Sequence, residues 1–326
     1  MALERSIVML QRGISKLFQN ELETLLAPLS SNSGFYDLVR EPLFKVWHDS
    51  GVENDYGHIW LYLPLIVCDA ICGSYEHALP ASVGLELLKA AAEVFDDIED
   101  ADSTESLSVK YGTSLAINVA SALLILAERA FTRLRNRGVD NEIVLSLIDT
   151  VNSYYATACT GQYLDMSITP EEAFSEDVYL KVIEIKSAFA VRCACYTGAL
   201  LATSNKKIIH SFTIFGHNLG MASQIANDIK GITNLKDISR RKITLPAIYA
   251  LAQTNGEIHQ LLATVFCKSS NEFVSPPVQI RDLLFSTGAI QYATIKMELY
   301  KQQAANILIE LEQLDVKVNQ LQQFLN

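Results

Sequence analysis

The chain has 326 residues, 49% of them hydrophobic and 19% charged, which is enough for one large helical domain or two average ones. Its formal charge of −11 argues against a nucleic-acid partner, because phosphate backbones need a basic face; a small anion held through metal ions stays open. Only 15 Gly and 8 Pro interrupt the chain, which predicts long helices and an all-α fold rather than a turn-rich sheet.

Apolar residues recur at helical spacing almost throughout, and no segment alternates with hairpin turns. The expected helices cover 4–28, 35–49, 57–73, 79–100, 112–136, 140–166, 176–203, 206–232, 242–253, 256–267, 277–286 and 289–325. The first, "MALERSIVMLQRGISKLF", is amphipathic but has no continuous apolar core or small-residue cleavage site, so it does not read as a secretory signal. The most apolar run, "HIWLYLPLIVCDAICG", contains Pro64 and Asp69 and is short for a bilayer, so no membrane span is expected and the protein reads as soluble and cytoplasmic. Six cysteines fall in apolar helical patterns without paired CxxC spacing and read as small buried hydrophobes in a reducing compartment. "TPEEAF" predicts a helix start with Thr169 as cap and Pro170 at the first position, and "SEDVYL" repeats the signal from Ser175. The clearest loop, 267–277, is too short for a linker, and no internal repeat is visible. One domain over 1–326 is expected.

Two acidic clusters carry the chemistry. Residues 90–102, "AAAEVFDDIEDAD", end an apolar helix in carboxylates, at the terminus that already bears partial negative charge. Asp96 and Asp100 lie one turn apart with Asp97 beside them, a spacing that converges on a hard divalent cation, Mg²⁺ where phosphate oxygens complete the shell. Taken alone, the same acids could equally cap the next segment or be solvated. The second cluster, "SQIANDIKGITNLKDISRRKITLP", ends another apolar helix in Gln224, Asn227 and Asp228 and continues into Lys236, Arg240, Arg241 and Lys242. Oxygen ligands beside cations suit a diphosphate held by metals. Between the clusters, "GQYLD" places Gln162 and Asp165 near a helix end, and "EIKSAFA" sets Lys186 in an apolar helix, where an unpaired ammonium is costly.

In order, "ELLKAAAEVFDDIED", "YGTSLAINVASALL", "GQYLD", "KSAFA", "QIANDI" and "DISRRKITLPAIYAL" resemble the trans-prenyltransferase, or polyprenyl synthetase, family over nearly the whole chain. The resemblance implies an isoprenoid synthase helical barrel with a deep central cavity, two aspartate-rich motifs across its mouth, three Mg²⁺ ions on an allylic prenyl diphosphate, and a homodimer. It implies metal binding by Asp96, Asp97, Asp100, Asn227 and Asp228. Lys186, Lys242, Gln224 and Arg241 would bind diphosphate, with Asp96, Asp97 and Lys186 catalytic. Ala91, Ala92, Phe95 and Gln162 would line the cavity, although ordinary helix packing explains the two alanines equally well.

The chain also departs from the family. Where chain-elongating members carry "GGKRxRP" to bind isopentenyl diphosphate, this chain has "YGHIWLYLPLIV", without Lys or Arg; where they carry Arg-Arg-Gly after the first motif, it offers only Lys110, and Lys89 replaces an upstream His or Gln. In the second motif the family's DDxxD becomes Asn227-Asp228-Ile229-Lys230-Gly231, similar to the ComQ type, which prenylates a tryptophan of a signalling peptide. The expected function is transfer of a farnesyl- or geranylgeranyl-class prenyl group to an acceptor other than isopentenyl diphosphate. An indole, another aromatic or a small peptide would suit a site near Tyr56, Trp60 and Tyr62. Alternatives are a class I terpene synthase without co-substrate, an elongase using Lys89, Lys110 and His58, and a catalytically degenerate subunit.

Overall fold

The computed structural model describes residues 15–48, 59–100, 104–167, 175–267 and 276–325. Among them every regular element is helical, as expected from the spacing of apolar residues. The helices are α1 (15–26), α2 (Ser33–His48), α3 (Ile59–Cys72), α4 (Leu79–Asp100), α5 (Leu107–Tyr111), α6 (Thr113–Thr132), α7 (Asn141–Ser167), α8 (Glu176–Ile183), α9 (Phe189–Ala202), α10 (Lys206–Thr233), α11 (Lys236–Ser239), α12 (Leu245–Gln253), α13 (Gly256–Cys267), α14 (Pro277–Ser286) and α15 (Ala289–Glu312). The expected start at residue 4, the Thr169–Pro170 cap, Tyr56 and His58 lie outside the described residues.

Two expectations need correction. The helix read across 176–203 is three pieces, because a π-helical turn at Glu184–Ala188 separates α8 from α9. The helix read across 289–325 ends at Glu312; Asp315 adopts φ 61° and two short 3₁₀ turns follow. By contrast α4 runs over the expected span, and Ser175 caps α8 by accepting a hydrogen bond from Val178 N at 3.5 Å.

The chain groups into two compact units, the first comprising Met1–Val151, Cys193–Phe212 and Leu311–Gln323, the second Asn152–Arg192, Thr213–Glu310 and Phe324–Asn326. In the first, α4 packs along α6, and Gly84 makes room for the buried ring of Phe131, from which a Cβ there would lie 2.7 Å. A second close crossing places Gly198 of α9 directly against the Pro64 carbonyl of α3. Buried Glu21 of α1 pairs with Arg133 Nε at 2.6 Å and with the Arg137 guanidinium at 2.9 Å. By length and composition, the segment Thr113–Arg137 could cross a membrane. One of its faces, including Val119, Leu123 and Ala127, is buried in this unit, while Leu115, Ile117, Leu124 and Ile125 are exposed.

The second unit has its own core, in which Ile232, Ile238, Leu251, Phe266 and Leu284 cluster beside a group containing Ile183, Ala188, Met221, Ile225 and Leu245. Tyr249 and Tyr292 stack at 4.2 Å between ring centres, and Glu176 ties α8 to α15 through Lys296 at 2.7 Å and the Tyr292 hydroxyl at 2.6 Å.

Within the first unit's core, α4 buries Glu86, and neither carboxyl oxygen has a hydrogen-bond partner among the described residues. Burial pushes this carboxyl from its usual 4.5 up to about 8, with Lys89 opposing and Glu93 reinforcing the shift. Between those two pH values the folded chain holds a proton at Glu86 that the unfolded chain has lost, so stability falls as pH rises. Thermal melts should therefore show wild-type stability declining from pH 5 to pH 8 more steeply than that of Glu86→Gln, whose amide stays neutral throughout.

Candidate active site

The first acidic motif closes α4. One face of the helix, including Leu87, Leu88, Ala91 and Val94, is buried; Phe95, Asp96 and Asp97 are half-buried, and Glu99 and Asp100 are exposed. Asp97 and Asp100 stand three residues apart and Asp96 and Asp100 four apart, so all three carboxylates share one side of the last turn. They add negative charge where the helix dipole is already negative, an arrangement that a cation would relieve. Ala91 is fully buried in the packing of α4, whereas Ala92 is exposed. Upstream, Lys89 pairs with Glu93 at 2.6 Å, and Lys110 of α5 pairs with Glu41 of α2 at 2.8 Å.

A second centre lies within the other unit and is built around the π turn. Residues Glu184–Ala188 take one extra residue into the turn, which aims Lys186 differently from a regular α-helix. Gly161 of α7 meets this turn so closely that a Cβ would fall 2.9 Å from Lys186 N. Gly220 of α10 does the same from its own side, 2.7 Å from the Ala188 carbonyl oxygen. Asp165, one turn beyond Gly161, is thereby brought to Lys186, which donates to its carboxylate at 2.5 Å. Gln162, next to Gly161 on α7, has a buried side-chain amide nitrogen with no partner among the described residues.

One turn beyond Gly220 comes Gln224, and one turn further Asp228, which is buried. The Tyr179 hydroxyl of α8 donates to one Asp228 oxygen at 2.5 Å, and the Gln224 amide donates to the other at 2.8 Å. Burial lifts the Asp228 carboxyl from 3.8 to about 6, against the pull of Tyr179, Lys242 and Gln224, while Asp237 reinforces the rise. The Tyr179 phenol is itself raised well above its usual value by burial and by the Asp228 charge, so it stays a donor. Asn227 is exposed on a neighbouring face of α10.

The basic segment that follows is folded, not a loose strap. Leu235 and Arg241 adopt left-handed φ of 68° and 55°, and between them α11 turns the chain so that Lys242 N donates to the Asp237 carbonyl at 2.8 Å. The buried Asp237 carboxylate lies against the α-carbon of Gly231, in the space where any side chain at 231 would begin. Burial raises Asp237, and Lys242, Lys236 and Arg240 oppose it. Lys242 is exposed and Arg241 half-buried, and at the head of α12 the buried Thr244 hydroxyl has no partner among the described residues.

Residues 62–274 match the polyprenyl synthetase family profile. The chain belongs to the polyprenyl synthetase family. Among its relatives, the tryptophan prenyltransferase ComQ of Bacillus spizizenii is 26% identical over 246 residues, covering 74% of this chain and 83% of that protein. The geranylgeranyl diphosphate synthase of Mycobacterium tuberculosis is 29% identical over 258 residues, covering 74% and 71%. The geranylgeranyl pyrophosphate synthetase of Pyrococcus horikoshii superposes with a TM-score of 0.81 at 20% identity, covering 99% of this chain and 96% of that one. A polyprenyl synthase from Caulobacter crescentus, solved with calcium and isoprenyl diphosphate, gives 0.76 at 16% identity, covering 98% and 93%. The fold is thus the all-α isoprenoid synthase fold.

For a polyprenyl synthetase of this sequence, the structure brings Lys186, Asp165 and Gln162 together around one turn, and Gln224 and Asp228 together on α10. Tyr179 and Asp237 were missed by the sequence reading. Tyr179 looks like any apolar-face residue of α8, and Asp237 reads as one more charge in a charged loop; only the paired appearance of Gly231 and Asp237 carries a signal, since a glycine near a helix end leaves room for a neighbour.

Two substitutions test this geometry. Gly231→Asp would restore the family's third carboxylate in the sequence, but its Cβ collides with Asp237; stability should fall by about 1–3 kcal/mol in denaturant titration. Tyr179→Phe removes a hydrogen bond to a buried carboxyl, of a kind worth about 1.5–3 kcal/mol, and should slow diphosphate release roughly 10-fold or more with helicity unchanged.

Proposed function

We propose that this polyprenyl synthetase is a Mg²⁺-dependent prenyltransferase that ionises an allylic prenyl diphosphate of the farnesyl or geranylgeranyl class and passes the prenyl group to an acceptor other than isopentenyl diphosphate. Asp96, Asp97 and Asp100 on α4, and Asp228 with Asn227 on α10, offer oxygen donors only, the set that hard divalent cations prefer. Bound Mg²⁺, three ions by the family resemblance, would offset the charge of the departing diphosphate. Lys186, Lys242 and Arg241 supply fixed positive charge for diphosphate oxygens. The unpartnered Gln162 amide and Thr244 hydroxyl are buried donors that phosphate oxygens would satisfy. Asp165 holds Lys186 in place, while Tyr179 and Gln224 do the same for Asp228.

The choice of acceptor rests on one observation: the lysines available to replace the missing isopentenyl diphosphate site are already held by carboxylates. Lys89 is bound to Glu93 beside the buried Glu86, and Lys110 to Glu41. With no Lys or Arg in "YGHIWLYLPLIV" to join them, these two lysines, each already neutralised, offer a second diphosphate far less positive charge than Lys186, Lys242 and Arg241 together, whereas an uncharged indole needs none. Tyr62 packs edge-on against Phe18 with ring centres 6.0 Å apart, an aromatic pair that an indole could join. The relationship to the tryptophan prenyltransferases supports the same reading. The geranylgeranyl diphosphate synthase relatives favour chain elongation as the second reading. A homodimer would cover the exposed apolar residues Leu115, Ile117, Leu124 and Ile125, and the free thiols of Cys68, Cys72, Cys159, Cys193 and Cys195 among the described residues fit the cytoplasm.

The assay is diphosphate release with Mg²⁺ and geranyl, farnesyl or geranylgeranyl diphosphate, supplied alone, with isopentenyl diphosphate, or with tryptophan-containing peptides, followed by mass analysis. Prenylated peptide is the expected product. Longer prenyl diphosphates would establish elongation instead, and hydrocarbons or alcohols without co-substrate a terpene synthase. Asp97→Ala should abolish release while leaving helicity intact, and retained turnover would remove the metal assignment.

A further inference from the structure

The last turn of α3 and the turn after it assemble three soft donors that the prenyl chemistry does not use. Cys68 and Cys72 are one helical turn apart on α3, with their Sγ atoms 4.0 Å apart. Gly73, at φ 73°, ends the helix, and the 3₁₀ turn Glu76–Ala78 folds His77 back until its Nε2 lies 3.2 Å from Cys68 Sγ. All three donor atoms lie within 4.8 Å of one another. Cys68 is fully buried, His77 half-buried and Cys72 exposed, so the cluster reaches solvent on one side. The sequence reading set these cysteines aside for lack of a CxxC spacing; the i, i+4 pair on a helix and a histidine after the turn form the site instead.

We propose that Cys68, Cys72 and His77 bind one zinc-class cation, with the fourth coordination position open to solvent. Tetrahedral zinc with Zn–S near 2.3 Å and Zn–N near 2.0–2.1 Å separates two sulfurs by about 3.8 Å and a sulfur from a nitrogen by about 3.6 Å. The observed 4.0 and 3.2 Å from Cys68 are close to those separations, and Cys72 and His77 lie within 4.8 Å of each other, near enough for side-chain rotation to close the site. Sulfur and imidazole donors select a borderline-soft ion over Mg²⁺. The negative charges of Asp69 and Glu76 act at Cys68 and favour a cation there. Burial, the larger effect, raises the Cys68 thiol, so without metal it remains protonated. Cys68 and Cys72 would bind as thiolates, and His77 would coordinate through Nε2 with its proton on Nδ1, giving up the 3.2 Å contact to the Leu201 carbonyl.

The site begins where α4 begins, and Asp97 lies 18 residues along that helix from Leu79, roughly 27 Å away. Zinc binding here is therefore separable from the aspartate motif. The probe is Co²⁺ added to the reduced, chelator-treated full chain, because only thiolate ligands give the sulfur-to-cobalt charge-transfer absorption. One equivalent should produce that band, excess Zn²⁺ should abolish it, and excess Mg²⁺ should not. Cys72→Ser, at an exposed position, and His77→Ala should weaken cobalt binding by more than about 100-fold, since even partners outside the coordination sphere are worth 10–100-fold. Asp97→Ala should keep the band, and Cys72→Ser should keep prenyl diphosphate turnover. No charge-transfer band, or a band unchanged in both Cys72→Ser and His77→Ala, would overturn the proposal.

Discussion

Lys186 stands in its place because two glycines let its backbone be gripped from both sides. Gly161 on α7 and Gly220 on α10 approach the π turn at distances that no Cβ would tolerate. That close approach carries Asp165, four residues past Gly161, to the lysine, and it sets the register of α10 on which Gln224 and Asp228 follow at one-turn intervals. A regular α-helix through 184–188 would present a different residue between those two glycines. The extra residue of the π turn is thus the condition for the charged centre.

The same centre shows how a carboxylate is kept in an apolar core. Asp228 loses hydration on burial, and the donors Tyr179 and Gln224, one to each oxygen, replace water while Lys242 adds a positive field. These opposing influences leave the carboxyl raised to about 6. Asp237 stands nearby under similar constraint, and the missing side chain at 231 is what gives it room. A carboxylate thus stands beside position 231 although the residue there is glycine.

The first motif follows a different logic. Its three acids need only the end of a regular helix, and their convergence follows from the helical repeat alone. Around α4 the chain buries an acid, Glu86, and holds its nearby lysines, Lys89 and Lys110, with Glu93 and Glu41.

By itself the sequence determined the all-α class, the span of α4, the cap at Ser175, the DDxxD face and the family, since all of these rest on local periodicity, capping chemistry or residue order. Tertiary structure alone decided the break in the helix at 184–188, because a run of apolar residues reads as one helix until neighbouring backbones force an extra residue into a turn. It also decided that Tyr179 bonds to Asp228 across 49 positions, that Asp237 fills the space beside Gly231, and that His77 folds back onto Cys68. Each of these depends on how a chain reversal or a glycine brings two segments into contact, and neither spacing nor composition records a distance of that kind.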